Sequence, residues 1–417
     1  MPRSLLTAVV GLLAVPATGS AIYLLLLAAA SCFHRPPRAR INPRHRLAVL
    51  VPAHNEAEMI ARCVQALMRQ GYPNALFRVV VIADNCDDET GPLAARAGAE
   101  VLVRNEPGRR GKGQALAWGI DRILADIPAP DAVVVVDADS ITESHFLAEL
   151  EARLAAGYQA VQADDLVLPQ PGSLRSVLEA TALLLRNRVR FAGRAVLGLP
   201  AMLCGNGMLL SRQVLVTHPW NAFTVTEDSE YSVALRVAGI RIAFAQNARV
   251  LAAATSGERG AYTQGLRWEA GRFQMLRRWF VPLLRAILLK RRGGLFELLI
   301  DLAVLPLALV SLLTLVGATV SLALAVSHVI AFWGAVPWAI ALISLPLYVM
   351  LGLFGARAPG SFYRALLLAP LFMTRKLKIY GRLLARRDAG TWVRTERPIE
   401  SRDSHSPGQP WAGKGFP

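Results

Sequence analysis

Val133-Val134-Val135-Val136-Asp137-Ala138-Asp139-Ser140 decides how the rest of the chain is read. Four valines in a row have the composition of a strand buried on both faces, as in a parallel sheet covered by helices. Two carboxylates follow with one residue between them. In extended backbone that spacing aims both side chains to the same side. Two anions held close repel each other and raise a pKa unless a cation intervenes. Mg²⁺ or Mn²⁺ relieves the repulsion and bridges the protein to a diphosphate. A capped turn before a helix at Ser144 is the competing reading, and the metal reading is preferred to it.

On either side of this stretch, short β-branched runs alternate with helix-like segments. Strands are predicted over Leu47–Val51, Arg78–Ala83, Glu100–Val103, Ala132–Val136 and Ala160–Val167, and helices over Glu56–Arg69, Thr90–Ala97, Gln114–Leu124 and Ser144–Leu154. Such alternation predicts a doubly wound α/β domain with a mostly parallel sheet over residues 46–260. Ligands of such sheets sit beyond the carboxyl ends of the strands.

The remaining polar clusters fall at those ends. The first strand runs into Val51-Pro52-Ala53-His54-Asn55-Glu56, where Pro52 ends the strand and Asn55 is placed to cap a helix. Glu56 is less well explained by structure, although an acid in a first helical turn is common. The second strand ends in Ile82-Ala83-Asp84-Asn85-Cys86-Asp87-Asp88-Glu89-Thr90. Asp88 is placed to cap at Thr90, and Asp84 stands where a base or ribose could donate to it; a solvated acidic loop is the alternative. In Arg109-Arg110-Gly111-Lys112-Gly113-Gln114 the glycines let backbone approach a ligand, and Lys112 opens a helix where phosphate binds. The spacing is not that of a P-loop.

Thr226-Glu227-Asp228-Ser229 places an acid pair at a helix start. The helix dipole favours such a pair, and a carboxylate there is also suited to general base work, with Asp228 the candidate. In Gln264-Gly265-Leu266-Arg267-Trp268, Arg267 is suited to a departing diphosphate and Trp268 to stacking on a sugar; an interfacial Arg–Trp pair reads equally well. Cys204-Gly205-Asn206-Gly207-Met208 is either a close approach of backbone to a ligand or a plain turn.

Composition adds a membrane. The 417 residues are 53% hydrophobic, with a net charge of +16. Residues 5–33 are almost wholly apolar and, at ~1.5 Å per residue, reach across a hydrocarbon core of ~30 Å. Only Arg3 precedes them, whereas Arg35, Arg38, Arg40, Arg44 and Arg46 follow. That asymmetry predicts an uncleaved anchor with the next domain cytoplasmic. A second apolar region, 295–354, reads as a hairpin with both basic ends on the same side, Glu297 and Asp301 lying near its start. Residues 261–292 read as a basic amphipathic interface helix, 361–387 as another, and 388–417 as a disordered tail. The four cysteines have neither zinc-ligand nor disulfide-framework spacing. No basic stripe with interleaved aromatics marks nucleic-acid binding in the soluble part. No Gly-x-Gly-x-x-Gly follows the first strand, which excludes a dinucleotide-dependent oxidoreductase.

In order, Asp84, Asp137-Ala138-Asp139, Thr226-Glu227-Asp228 and Gln264-Gly265-Leu266-Arg267-Trp268 resemble the motifs of processive-type family 2 glycosyltransferases, the group of cellulose, chitin and hyaluronan synthases and ceramide glucosyltransferase. The resemblance covers roughly residues 46–280. It implies a GT-A type fold and inverting transfer from a UDP-sugar; with the about three transmembrane helices read from the apolar runs, the expected acceptor is a lipid or growing polysaccharide at the cytoplasmic face. It also implies roles. Glu56 and Asp84 meet the nucleoside, with Lys112 nearby; Asp139 binds the metal, with Asp137 beside it. Asp228 is the base, next to Glu227, and Gln264, Arg267 and Trp268 meet diphosphate and acceptor. Asp-Asn-Cys-Asp-Asp departs from the commoner adjacent acid pair after the second strand. About three spans are fewer than cellulose synthases carry. A catalytically silent membrane partner of a polysaccharide assembly is the other reading; four retained functional residues, Asp137, Asp139, Asp228 and Arg267, speak against it.

Overall fold

The computed structural model describes residues 2–37, 43–254 and 258–384; the basic residues Arg38 and Arg40 and the tail 388–417 lie outside them. Among the described residues eight strands form one sheet: β1 (Leu47–Ala53), β2 (Phe77–Asp84), β3 (Glu100–Arg104), β4 (Ala132–Val135), β5 (Ser140–Thr142), β6 (Ala160–Leu168), β7 (Met208–Ser211) and β8 (Ile242–Ala253). Their order is β3-β2-β1-β4-β7-β6-β8-β5. The pairs β1–β2, β1–β4, β2–β3 and β6–β8 are parallel. β7 runs antiparallel to both β4 and β6, and β5 antiparallel to β8.

The apolar runs are continuous because both faces of the sheet are covered. Val49 and Val51 of β1 enter one core with Val79, Val81 and Val134, while Ala48 and Leu50 enter the other with Val80, Ile82, Val133 and Val135. β5, β7 and β8 lie outside the strands predicted from sequence. β5 and β7 are only three and four residues long, and β8 carries Gln246, Asn247 and Arg249 among its apolar residues, so none presents a long apolar run. Since β7 reverses between β4 and β6, the carboxyl ends of β1, β2, β4 and β6 share one edge.

Among the described residues three helices are long and apolar enough to cross a membrane: Arg3–Ser31, Leu307–Val326 and Phe332–Gly355. The first and third run side by side in the same direction. Arg3 donates to the Ile330 carbonyl at one end (3.0 Å), and the Cys32 thiol lies 3.8 Å from the Leu351 carbonyl at the other. The expected hairpin over 295–354 is shorter than the apolar run. Phe296–Ala303 is a separate helix, and the next begins only after Pro306, whose missing N–H suits a helix start. Asp301 and Glu297, expected near the start of the hairpin, are paired with arginines on helices of the sheet domain. Asp301 accepts from Arg190 at 2.5 Å and Arg194 at 2.8 Å, and Glu297 pairs with Arg194 at 2.5 Å and with Arg236.

The last turns of the first helix are also embedded in protein. Arg194 reaches Tyr23 Oη at 2.9 Å, and a Cβ added to Gly193 would stand 2.0 Å from the Leu27 carbonyl oxygen. Only glycine allows these two helices to approach so closely. The basic helix spans Glu258–Leu288. It packs Met275 and Leu283 against Val233 and Leu298, and leaves Phe273, Phe280 and Val281 exposed beside Arg277 and Arg278. The expected 361–387 helix is two, Gly360–Ala365 and Ala369–Leu384.

Candidate active site

The sheet edge opens into a cavity of ≈ 2190 Å³. The residues given candidate site roles from the resemblance line it: Glu56, Asp84, Lys112, Asp137, Asp139 and Glu227, together with Asp228, Gln264, Arg267 and Trp268. The same cavity continues between the apolar helices, where Thr314, Leu315, Leu345 and Val349 line it.

At the β2 end, Asp84 is buried and accepts from the buried Arg104 at 2.5 Å and from Asn85 Nδ2 at 2.8 Å. Arg104 also donates to Glu106 (3.0 Å) and to the Arg109 carbonyl (2.7 Å), so Asp84 anchors the loop that leads to Lys112. Asp88 accepts from Thr90 N at 3.0 Å, as expected. Asn55, expected to cap a helix, does something else. It sits at φ 54° and exchanges hydrogen bonds with Asp87, its Oδ1 accepting from Asp87 N at 3.0 Å, which joins the β1 and β2 loops. The helix after β1 starts only at Ile60.

At the β4 end, Lys112 Nζ lies against the Asp137 carboxylate and donates to the Gly205 carbonyl at 2.6 Å. Burial works against its charge, but Asp137, Glu227 and Asp228 outweigh burial and raise its pKa. Gly205 has φ +83°, and a Cβ there would come 3.3 Å from both Asp228 Oδ2 and Lys112 Nζ, so the Gly-rich segment passes close to these two side chains. Asp228 stands in the first turn of the Glu227–Val237 helix, its Oδ1 accepting from Ser229 N at 2.6 Å. Burial first, then the neighbouring Asp228, push Glu227 up to about 7.

Sequence reading missed the residues behind this edge. Asn206 is buried; its Oδ1 accepts from Asp137 N (3.1 Å), and its Nδ2 donates to Ser140 Oγ and Asp165 Oδ1 (3.0 Å each). Burial and the proximity of Asp137 hold Asp165 well above the usual carboxylate range. Asp164, fully buried, is paired with Arg188 at 2.7 Å. Arg188 belongs to a π-helical turn, Leu185–Val189, a local widening that often marks functional sites. In the same turn Asn187 Nδ2 donates to the Asp165 carbonyl at 3.2 Å, and Arg186 lies 5.7 Å from the Trp268 ring centre.

The donor set offered to a metal is all oxygen, from Asp137 and Asp139, which suits Mg²⁺ or Mn²⁺. Both carboxylates also bear on the buried thiol of Cys63, whose pKa burial and then Asp139 and Asp137 raise, so negative potential is concentrated at this turn. Among the described residues no three His, Cys, Asp or Glu converge as a complete metal cage. The residues therefore fit an ion that takes the rest of its shell from a bound diphosphate and water.

Residues 43–271, more than half of the chain, match the family described as "Glycosyltransferase like family 2". Glycosyltransferase AglD of Haloferax volcanii is 31% identical over 129 residues, 30% of this chain and 20% of that protein. The beta-monoglucosyldiacylglycerol synthase of Synechocystis is 25% identical over 273 residues, 64% of this chain and 56% of that protein. The matched stretches thus span less than two thirds of these relatives. Mannosyltransferase PcManGT from Pyrobaculum calidifontis, solved in complex with GDP-Man and Mn²⁺, superposes with a TM-score of 0.52 at 17% identity, covering 84% of this chain and 98% of that one. At that identity the likeness is one of fold, the GT-A type with its mixed, mostly parallel sheet.

Proposed function

The chain belongs to glycosyltransferase family 2, and from that membership we propose that it moves a sugar from a nucleotide-sugar donor, UDP-linked, to a lipid acceptor held at the membrane's cytoplasmic face. One observation carries the acceptor half of this reading: the cavity that contains Asp137, Asp139 and Asp228 is also lined by the membrane-type helices at Thr314 and Leu345. A water-soluble acceptor has no use for an apolar limb of that kind.

In this reading Glu56 and Asp84 face the nucleoside, while Asp137, Asp139, Lys112 and Arg267 face the diphosphate. A divalent ion at Asp139 and Asp137 would neutralise diphosphate charge. Lys112 bears on both Asp137 and Asp228, so the donor and base regions are electrostatically linked. Asp228 takes the proton of the acceptor hydroxyl as its oxygen attacks C1. The C1–O bond to the diphosphate breaks, the nucleoside diphosphate leaves with the electron pair, and configuration inverts. Trp268 and Gln264 border the acceptor, with Glu227 beside the base.

The test uses the full chain in lipid nanodiscs with Mn²⁺, labelled nucleotide sugars and a membrane lipid extract. Label entering the organic phase with UDP-sugars, and lost in Asp228→Asn while the nucleotide still binds, is the expected result. Label found only in polymer would transfer the reading to a polysaccharide acceptor. Undiminished transfer by Asp228→Asn would remove that residue as the base.

A further inference from the structure

Between Asp228 and the Leu307–Val326 helix the cavity is lined by Arg186, Arg190, Arg267, Arg272 and Lys376. The carboxylates on this stretch are already engaged. Asp301 is shared by Arg190 and Arg194, and Glu269 accepts from Lys376 and Tyr380, each at 3.3 Å. Arg267 belongs to the segment read above as facing the donor diphosphate. Arg186 and Arg272 remain, with no carboxylate at ion-pair distance among the described residues. Arg272 donates to the Val304 carbonyl at 2.7 Å, and Arg186 faces the Trp268 ring. Burial, then the cations Arg190 and Arg186, lower Arg272 to about 10. Asp301 and Glu269 offset this only in part, so an anion placed between the two guanidiniums would stabilise them.

Their position along the cavity is fixed by contacts. Asp228 borders Gly205; the adjacent Cys204 thiol lies 3.8 Å from Asn187 Oδ1, next to Arg186. Arg190 leads to Asp301, and Val304, held by Arg272, leads across Pro306 into the apolar helix. Two turns further on, Thr314 is 1% exposed, and among the described residues its hydroxyl has no hydrogen-bond partner although it lines the cavity. The sequence along the wall is a base, then two cations, then an apolar channel with one waiting polar group.

We propose that Arg186 and Arg272 form a phosphate subsite for the acceptor, which is a lipid whose hydroxyl-bearing head is joined to its hydrocarbon chain through a phosphate. The hydroxyl meets Asp228, the phosphate meets the two guanidiniums, and the chain lies along Thr314 and Leu345. Arginine's planar fork matches phosphate oxygens in pairs. This rests on the lipid-acceptor reading above.

Hexadecyl phosphate, hexadecanol and inorganic phosphate are titrated against the full chain in detergent, with nucleotide binding as the folding control. Hexadecyl phosphate is expected to bind at least about tenfold more tightly than either of the others, since charge-assisted hydrogen bonds add to chain burial. Arg186→Gln, whose side chain is open to the cavity, is expected to abolish that preference, and Arg186→Lys to retain part of it. Equal binding of the phosphate and the alcohol, or a preference untouched by Arg186→Gln, would overturn the subsite. The labelled lipid product is then passed over an anion exchanger in organic solvent. Retention supports the proposal, and flow-through overturns it while leaving lipid transfer intact. If no lipid is labelled yet hexadecyl phosphate binds through Arg186, the subsite stands and the lipid-acceptor reading falls. Mild alkali, which cleaves acyl esters, separates a phospholipid acceptor from an isoprenoid one.

Discussion

Asn206 Oδ1 accepts the backbone N–H of Asp137 at 3.1 Å, and the same side chain donates to Asp165. A residue 69 positions away thus fixes the turn on which both candidate metal carboxylates stand. Removing such outer partners typically costs 10–100-fold in metal affinity or activity. Asn206→Ala is expected to lower kcat/KM by about that factor. Its requirement for Mn²⁺ should shift to higher concentration, read from metal titrations of transfer. An unchanged metal dependence would confine Asn206 to packing.

Asp84 and Arg104 are buried together at 2.5 Å. Arg104→Met leaves the carboxylate without its cation and is expected to cost about 3–5 kcal/mol of stability. The double change Asp84→Asn with Arg104→Met should recover much of that. Denaturant melts of the four proteins measure the coupling, and UDP binding to the double variant tests the donor role of Asp84.

Glu227 carries a sign that differs from an ordinary salt-bridged acid. Its folded pKa is raised to about 7, so between the usual glutamate range and pH 7 the folded state holds more protons than the unfolded one. Stability therefore falls as pH rises through that window and stays lower above it. Glu227→Gln is expected to raise the melting temperature at pH 8 and to change it little at pH 4. A gain confined to acid would contradict the assignment.

Gly193→Ala places a Cβ against the Leu27 carbonyl and is expected to destabilise by about 1–3 kcal/mol. Gly108→Ala meets nothing within 4 Å and serves as the matched control. Melting temperatures in detergent distinguish the two, and equal values would mean that the helices separate at no cost.

Chelation by EDTA is expected to stop transfer, with Mn²⁺ or Mg²⁺ restoring it; Asp139→Asn should not be restored by added metal at concentrations that saturate the unmodified chain.

Much of this architecture could be read along the chain because its signals are local. β1, β2 and β4 are apolar on both faces, so their composition alone marks them, and the Asp137–Asp139 pair follows directly from the last of these. What escaped is pairwise and distant. Asn206 looks like a turn residue until Asp137 and Asp165 are placed beside it. Arg190 and Arg194 look like surface charge in a helix until Asp301, 111 residues later for Arg190, folds back on them. Pro306 breaks an apolar run in which hydropathy changes little, so the start of the Leu307–Val326 helix was hidden. Arg186 owes its setting to a π-helical turn, which no residue type announces.

The contact between Gly193 and Leu27 makes the first long helix a rigid mount instead of a leash. A leashed domain can swing and sample substrates at many heights. If residues 3–31 span a membrane, how deeply they are sunk sets the altitude of Asp228. Bilayer thickness would then become a variable of the proposed transfer. Membranes too thick or too thin would tilt the mount, and the sheet edge that carries Asp228 would tilt with it, away from whatever is presented at the surface.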